Sequence, residues 1–167
     1  KIQNHLPMWA DFKAAFTLDG GKVHLSKIDI RTDGAETTAA GDVDFGHWPV
    51  MRFDVKSRVH FPRMREIFFT DETWSLAGEG AFAGTFHLFK GGHDLTGTFK
   101  SDVLGVNAYR FPDLAGSLRW TNRTFDVWNA TAKAYGGATD FTYAIRRPGG
   151  GRPSVSTFDA TLTGVDL

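Results

Sequence analysis

A chain of 167 residues is long enough for one domain with a sizeable core. Its 19 Lys+Arg against 19 Asp+Glu argue against a nucleic-acid partner, because such a binder needs a net basic surface to displace counterions from phosphates. With no Cys, disulfide scaffolds and thiolate metal sites are excluded, and no run approaches the roughly 18–20 apolar residues of a membrane-spanning helix.

Period two dominates from the start. Phe12, Ala14, Phe16 and Leu18 alternate with polar or small residues, and Asp19-Gly20-Gly21 turns the chain. Val23 and Leu25 open a strand that runs on through Ile28 and Ile30. After Asp33-Gly34, Val43 and Phe45 mark another strand, and Met51, Phe53 and Val55 the next. One stretch reads as helix: Phe61, Met64 and Phe68 recur at helical spacing, and Pro62 stands early, where its missing N–H costs nothing. This predicts about two turns near 62–69.

A long alternation follows. Trp74, Leu76, Gly78, Gly80, Phe82, Gly84, Phe86 and Leu88 fall on one side of a single predicted strand. Its glycines remove bulk, so that the sheet can bend there or another group can approach closely. Gly91-Gly92 turns the chain into a strand with Leu95, Gly97 and Phe99 on one side. Leu114, Gly116, Leu118 and Trp120 mark the next strand, and Thr121-Asn122-Arg123 a hairpin loop. Phe125 and Val127 begin a strand that reaches Tyr135. Gly136-Gly137 is a hairpin turn, Phe141, Tyr143 and Ile145 alternate, and 146–153 form a Gly-rich loop. Phe158, Ala160 and Leu162 mark the last strand.

Two stretches overlay: 22–60 and 124–166. At a shift of 102, Val23-His24-Leu25 falls on Phe125-Asp126-Val127 and Ile28 and Ile30 on Ala130 and Ala132. Both strands flip their apolar phase between the third and sixth residue, which predicts a β-bulge in each. Phe53-Asp54 resembles Phe158-Asp159 at a shift of 105. The chain opens at Lys1 and stops in mid-pattern at Leu167, so the expectation is one β domain over 1–167, a fragment of a longer repetitive chain.

The residue types of catalysis are present without their patterns. His5, His24, His47, His60, His87 and His93 show no metal-ligand spacing and read as surface or strand-end histidines. There is no Gly-x-Ser-x-Gly elbow, and Asp71-Glu72 reads as a solvated turn. Gly149-Gly150-Gly151 lacks the Lys-Ser/Thr and helix of a phosphate loop. Arg146-Arg147 with Arg152 reads as a solvated basic loop rather than a headgroup site. Arg63 and Arg65, beside Met64, Ile67, Phe68 and Phe69, read as a plug over the sheet end, with a membrane-surface helix as the alternative.

Leu118-Arg119-Trp120-Thr121-Asn122-Arg123-Thr124-Phe125-Asp126-Val127, followed by Ala130-Thr131-Ala132-Lys133-Ala134-Tyr135-Gly136-Gly137, resembles the AsmA-like and TamB-like bacterial envelope proteins. So do Phe82-Ala83-Gly84-Thr85-Phe86-His87-Leu88, Asp94-Leu95-Thr96-Gly97-Thr98-Phe99 and the closing Gly164-Val165-Asp166-Leu167. The likeness runs from about Lys22 onward, on degenerate Gly and apolar patterns. It implies a protein anchored in the inner membrane of a diderm bacterium by regions outside this chain, crossing the periplasm as a curved β-sheet. The apolar inside of that curve would carry acyl chains toward the outer membrane.

The expected architecture is therefore all-β: a strongly curved, mostly antiparallel sheet, shaped as a groove or half-barrel, with one short helix. The residues expected to line an apolar groove are Phe82, Phe86, Leu88, Leu118, Trp120, Phe125 and Val127. Their partners would be phospholipid acyl chains and the rest of the parent chain, with no cofactor, no metal and no catalytic residue. Two other readings stand beside it. One is a carbohydrate- or ligand-binding β-sandwich using Trp9, Trp48, Trp74 or Trp128. The other is a structural spacer of an envelope protein.

Overall fold

The computed structural model describes residues 9–46, 50–68, 73–149 and 153–166. Along these run β1 (Ala10–Asp19), β2 (Lys22–Thr32), β3 (Ala35–Asp44), β4 (Val50–His60), the helix α1 (Phe61–Phe68) and β5 (Leu76–Ala77). Then come β6 (Glu79–Phe89), β7 (Gly92–Val106), β8 (Tyr109–Thr121), β9 (Thr124–Ala134), β10 (Gly137–Arg146) and β11 (Val155–Thr163). They form one antiparallel sheet in the order β1-β2-β3-β4-β6-β7-β8-β9-β10-β11, with β5 attached to β7. The sheet is not closed into a barrel, and β1 and β11 are the outermost of the described strands. This is the all-β, antiparallel architecture with one short helix that the alternation predicts. The helix starts one residue before its expected place, and position 69 lies outside the described residues.

Tight turns set this meander. Gly20, Gly91 and Gly136 take φ values of +56°, +94° and +79°, and Asn107 and Tyr135 also enter the left-handed region, at +54° and +49°. Two-residue turns of this hand match the twist of the strands they join and so fix register.

The structure corrects the sequence reading at Gly78. The alternation from Trp74 to Phe89 is not one strand. Gly78 takes a φ of +98° and breaks it, so that β5 pairs Leu76 with Val106 and Ala77 with Gly105 before β6 begins. A Cβ at Gly78 would stand 2.2 Å from the Val103 carbonyl oxygen, so only glycine fits there. Phe45 lies just past the end of β3, where its amide donates to the Gly21 carbonyl at 2.8 Å.

The stretches β1–β4 and β8–β11 pair alike. In β2–β3, Val23 faces Val43, Leu25 faces Gly41 and Ile28 faces Ala39; in β9–β10, Phe125 faces Ile145, Val127 faces Tyr143 and Ala130 faces Phe141. Each pair is displaced by 102 residues, and the bulges at Ser26-Lys27 and Trp128-Asn129 coincide under that shift. The amide of Phe45 bonds to Gly21, and that of Arg147 to Arg123, again 102 apart. Gly41 faces Phe53 as Tyr143 faces Phe158, with the last strand displaced by 105.

No second layer lies over the described sheet, apart from α1 at one end of β4–β6. The buried apolar side chains are accordingly few and mostly small: Ile28, Val43, Leu114, Val127, Ala130, Ala132 and Ala134.

Candidate functional site: the apolar face of the sheet

Directly opposed residues of neighbouring strands point to the same face. One row therefore runs Phe53, Phe86, Leu95, Trp120, Phe125, Ile145 across β4 and β6–β10. The next runs Val55, Gly84, Gly97, Leu118, Val127, Tyr143, Phe158 out to β11. A third holds Ser57, Phe82, Phe99 and Gly116, and a fourth Val43, Met51, Leu88 and His93. All seven residues singled out from the sequence thus stand on one face. Val127 is buried, Trp120 is 41% exposed, and the other five are half-buried.

The glycines on this face are seats for aromatic rings. A Cβ at Gly84 or Gly97 would lie 2.8 Å from the end of the Phe82 ring. At Gly116 it would lie 2.7 Å from Phe99, and at Gly80 2.5 Å from Phe61. Close approach, one of the two uses read for glycine here, is what the structure shows. The rings cover backbone that would otherwise be bare, and they keep the face low.

Sequence reasoning missed His93. Read as a strand-end histidine, it is the second residue of β7, but it faces the apolar side between Phe86 (6.4 Å between ring centroids) and Trp120 (4.9 Å). Its Nε2 is buried without a hydrogen-bond partner among the described residues. The signal was available in the turn: the two residues of Lys90-Gly91 place His93 opposite Leu88. Further along, Phe125 meets Tyr143 at 6.3 Å and Phe141 meets Phe158 at 5.7 Å.

The opposite face is polar and charge-laddered. Asp11, Arg31, Glu36 and Arg58 oppose one another in turn across β1–β4. Arg119 bonds to Asp94 at 2.6 Å, Lys133 to Asp113 at 2.6 Å, His24 to Asp42 at 2.8 Å, and Arg146 to Asp126. These bonds hold the Arg119 guanidinium and the Lys133 ammonium above their ordinary pKa values. A hollow of about 980 Å³ opens on this polar face, bordered by Lys13, Lys56, Ala81, Ala83, Lys100 and Ser117 among others. Of the seven groove candidates only Phe82 borders it.

The helix covers one end of the sheet. Phe61 lies on Gly80, Arg63 bonds to Glu66 (2.8 Å) and to Asp33 on the β2–β3 turn, and Arg65 donates to the Trp74 carbonyl at 2.9 Å. The Arg63 pKa is raised by the bonds to Glu66 and Asp33. Both arginines are therefore tied down, in keeping with a plug. Of the proposed sugar-stacking residues, Trp48 lies outside the described residues. Trp9 precedes β1, Trp74 packs under Arg65 beside the helix, and Trp128 sits in the β9 bulge, on separate parts of the sheet. Asp71, Glu72 and Arg152 also lie outside the described residues. Among the described residues no three His, Asp or Glu side chains gather as a metal site, and no helix is long and apolar enough to cross a membrane.

Comparison with protein-family models, with curated proteins and with solved structures finds no match for this chain.

Proposed function

We propose that the chain is a non-catalytic, lipid-handling β segment of the AsmA/TamB-like kind. In this reading it belongs to the periplasm of a diderm bacterium and serves inner-to-outer membrane lipid transport or outer-membrane biogenesis. The observation that carries the reading is the one-sided face: aromatic and aliphatic rows continue from β4 to β11, and among the described residues only α1, at one end, lies over the sheet. Contiguous apolar surface of this extent marks an interaction site in a water-exposed protein. Acyl chains suit it because the rows are long and mostly apolar, with Ser57, His93 and Tyr143 as the polar members of the rows given above. Each CH₂ withdrawn from water would contribute about 0.8 kcal/mol. The shared register of β1–β4 and β8–β11 supports a repeated unit, which is how a sheet is lengthened without a new core.

The test is mass spectrometry of lipid extracted from the purified chain and from a Trp120→Asp variant. Trp120 stands in the central row and is 41% exposed, so a folded variant is expected. Phospholipid retained by the wild type and lost from the variant is the expected result. Lipid on neither would make the chain a structural spacer.

A further inference from the structure

The hollow on the polar face reaches from Lys13 on β1 to Asn129 on β9, and its charge is unevenly spread. On the β1–β3 side three bases, Lys13, Lys27 and Arg31, stand among three acids, Asp11, Asp29 and Glu36. Lys27 bonds to Asp29 at 3.0 Å, Lys13 stands opposite Asp29, and Arg31 stands between Asp11 and Glu36. That side is balanced. On the β4–β8 side the hollow is lined by Lys56, Arg58 and Lys100 and by no acid. A chain whose 19 bases match its 19 acids thus keeps three positive charges together there.

Strand register explains why these charges are left over. Lys56 has Thr38 on one side and Ala83 on the other, and Lys100 has Ala81 and Ala115. Asp54 and Asp102, each two residues along the same strand, lie outside the hollow. Among the described residues neither lysine enters an ion pair, and Arg58 reaches Glu79, also outside the hollow, at 3.5 Å. Two adjacent rows result, Lys56-Ala83-Thr98-Ser117 and Arg58-Ala81-Lys100-Ala115. Arg58 and Lys100 stand two strands apart, about 9.5 Å. Their long stems can close that gap over a floor made only of the Ala81 and Ala83 methyls.

We infer that this half of the hollow is an anion site that takes a phosphate group. A phosphate monoester carries about two negative charges and three acceptor oxygens at neutral pH. It can therefore meet the Arg58 fork, both lysines and the Thr98 hydroxyl together, whereas a carboxylate, with one charge, satisfies one of them. The hollow, about 980 Å³, also has room for the rest of a small phosphorylated molecule. Each of the strands β4, β6, β7 and β8 is flanked on both sides within the sheet. The site lies on the face opposite the apolar rows, so it stands whether or not those rows carry lipid.

The test is amide NMR of the whole chain titrated with sodium phosphate, glycerol 3-phosphate, sodium acetate and sodium chloride at equal ionic strength. Phosphate and glycerol 3-phosphate are expected to give saturable shifts at Ala81, Ala83 and Thr98, and acetate and chloride none. Lys56→Met and Lys100→Met should each weaken phosphate binding about tenfold, the loss of one charge-assisted bond. Lys13→Met, on the balanced side, should leave it unchanged. All three lysines are exposed, so folded variants are expected, and the wild-type comparison of phosphate with acetate needs no variant. Co-sedimentation with phosphatidic acid vesicles separates the sources. Vesicle binding lost in the Lys56→Met, Lys100→Met double variant assigns the phosphate to a lipid headgroup. Glycerol 3-phosphate bound without such vesicle binding assigns it to a soluble ester. No saturable shift with phosphate, an equal response to acetate, or a loss in Lys13→Met as large as in Lys56→Met overturns the inference.

Discussion

β6 and β1 carry nearly the same apolar sequence and meet different fates. Phe82, Phe86 and Leu88 of β6 are half-buried, whereas Phe12, Phe16 and Leu18 of β1 are 62%, 61% and 71% exposed. The three large apolar residues are the same in type and order in both strands. β6 has β4 on one side and β7 on the other, while among the described residues β1 has β2 alone. In a sheet without a second layer, burial comes sideways, from same-face neighbours on adjacent strands. A strand's contribution to stability is thus set by how many neighbours it has.

That comparison can be broken by charge. Phe86→Asp puts a carboxylate between Phe53, Leu95 and the His93 ring, and should cost about 3–4 kcal/mol in urea unfolding. Phe16→Asp, the same change at the edge, should cost less than about 1 kcal/mol. Equal losses would show that β1 is covered in solution.

A smaller difference is expected at the glycine. A Cβ on Gly84 would lie 2.1 Å from the Thr96 carbonyl oxygen and 2.8 Å from the Phe82 ring, so Gly84→Val should destabilise by about 1–3 kcal/mol. Its counterpart Ala14 already bears a Cβ, and Ala14→Val should be neutral or slightly stabilising, as a β-branched residue on an exposed strand. Thermal melts of the two variants side by side read the contrast.

The smallest effect concerns the polar face. Lys133 and Asp113 are both well exposed, so Lys133→Met should leave the melting temperature at neutral pH unchanged within error. The sign of its pH dependence is still defined. Asp113 raises the lysine's folded pKa, so whatever the pair contributes is present below the unfolded lysine value. It is lost only as the pH rises through the raised folded value. A wild type that loses stability relative to Lys133→Met on acidification toward neutrality would contradict this assignment.

Much of the molecule was legible in the sequence because its determinants are local. A pleated strand sends successive side chains to opposite faces, so alternation marked most of the strands and grouped Phe82, Phe86 and Leu88, Leu118 and Trp120, and Phe125 and Val127 each on one side of its own strand. Asp19-Gly20-Gly21 and Gly136-Gly137 marked hairpins because tight turns demand left-handed backbone. The phase flips at 26–27 and 128–129 showed as bulges because an extra residue must reverse the faces.

What only the tertiary structure decided depends on which strands become neighbours. Gly78 reads as one more apolar-face position until β7 stands beside it, and then the Val103 carbonyl forces the break. Phe82 covers Gly84 and Gly97 because β6 and β7 lie in register, a contact that no single strand encodes. The hollow opens on the polar face, although the aromatics pointed to the other one. The difference between β1 and β6 is of this kind too. Alternation is written residue by residue, but the number of flanking strands is settled by pairings between distant segments.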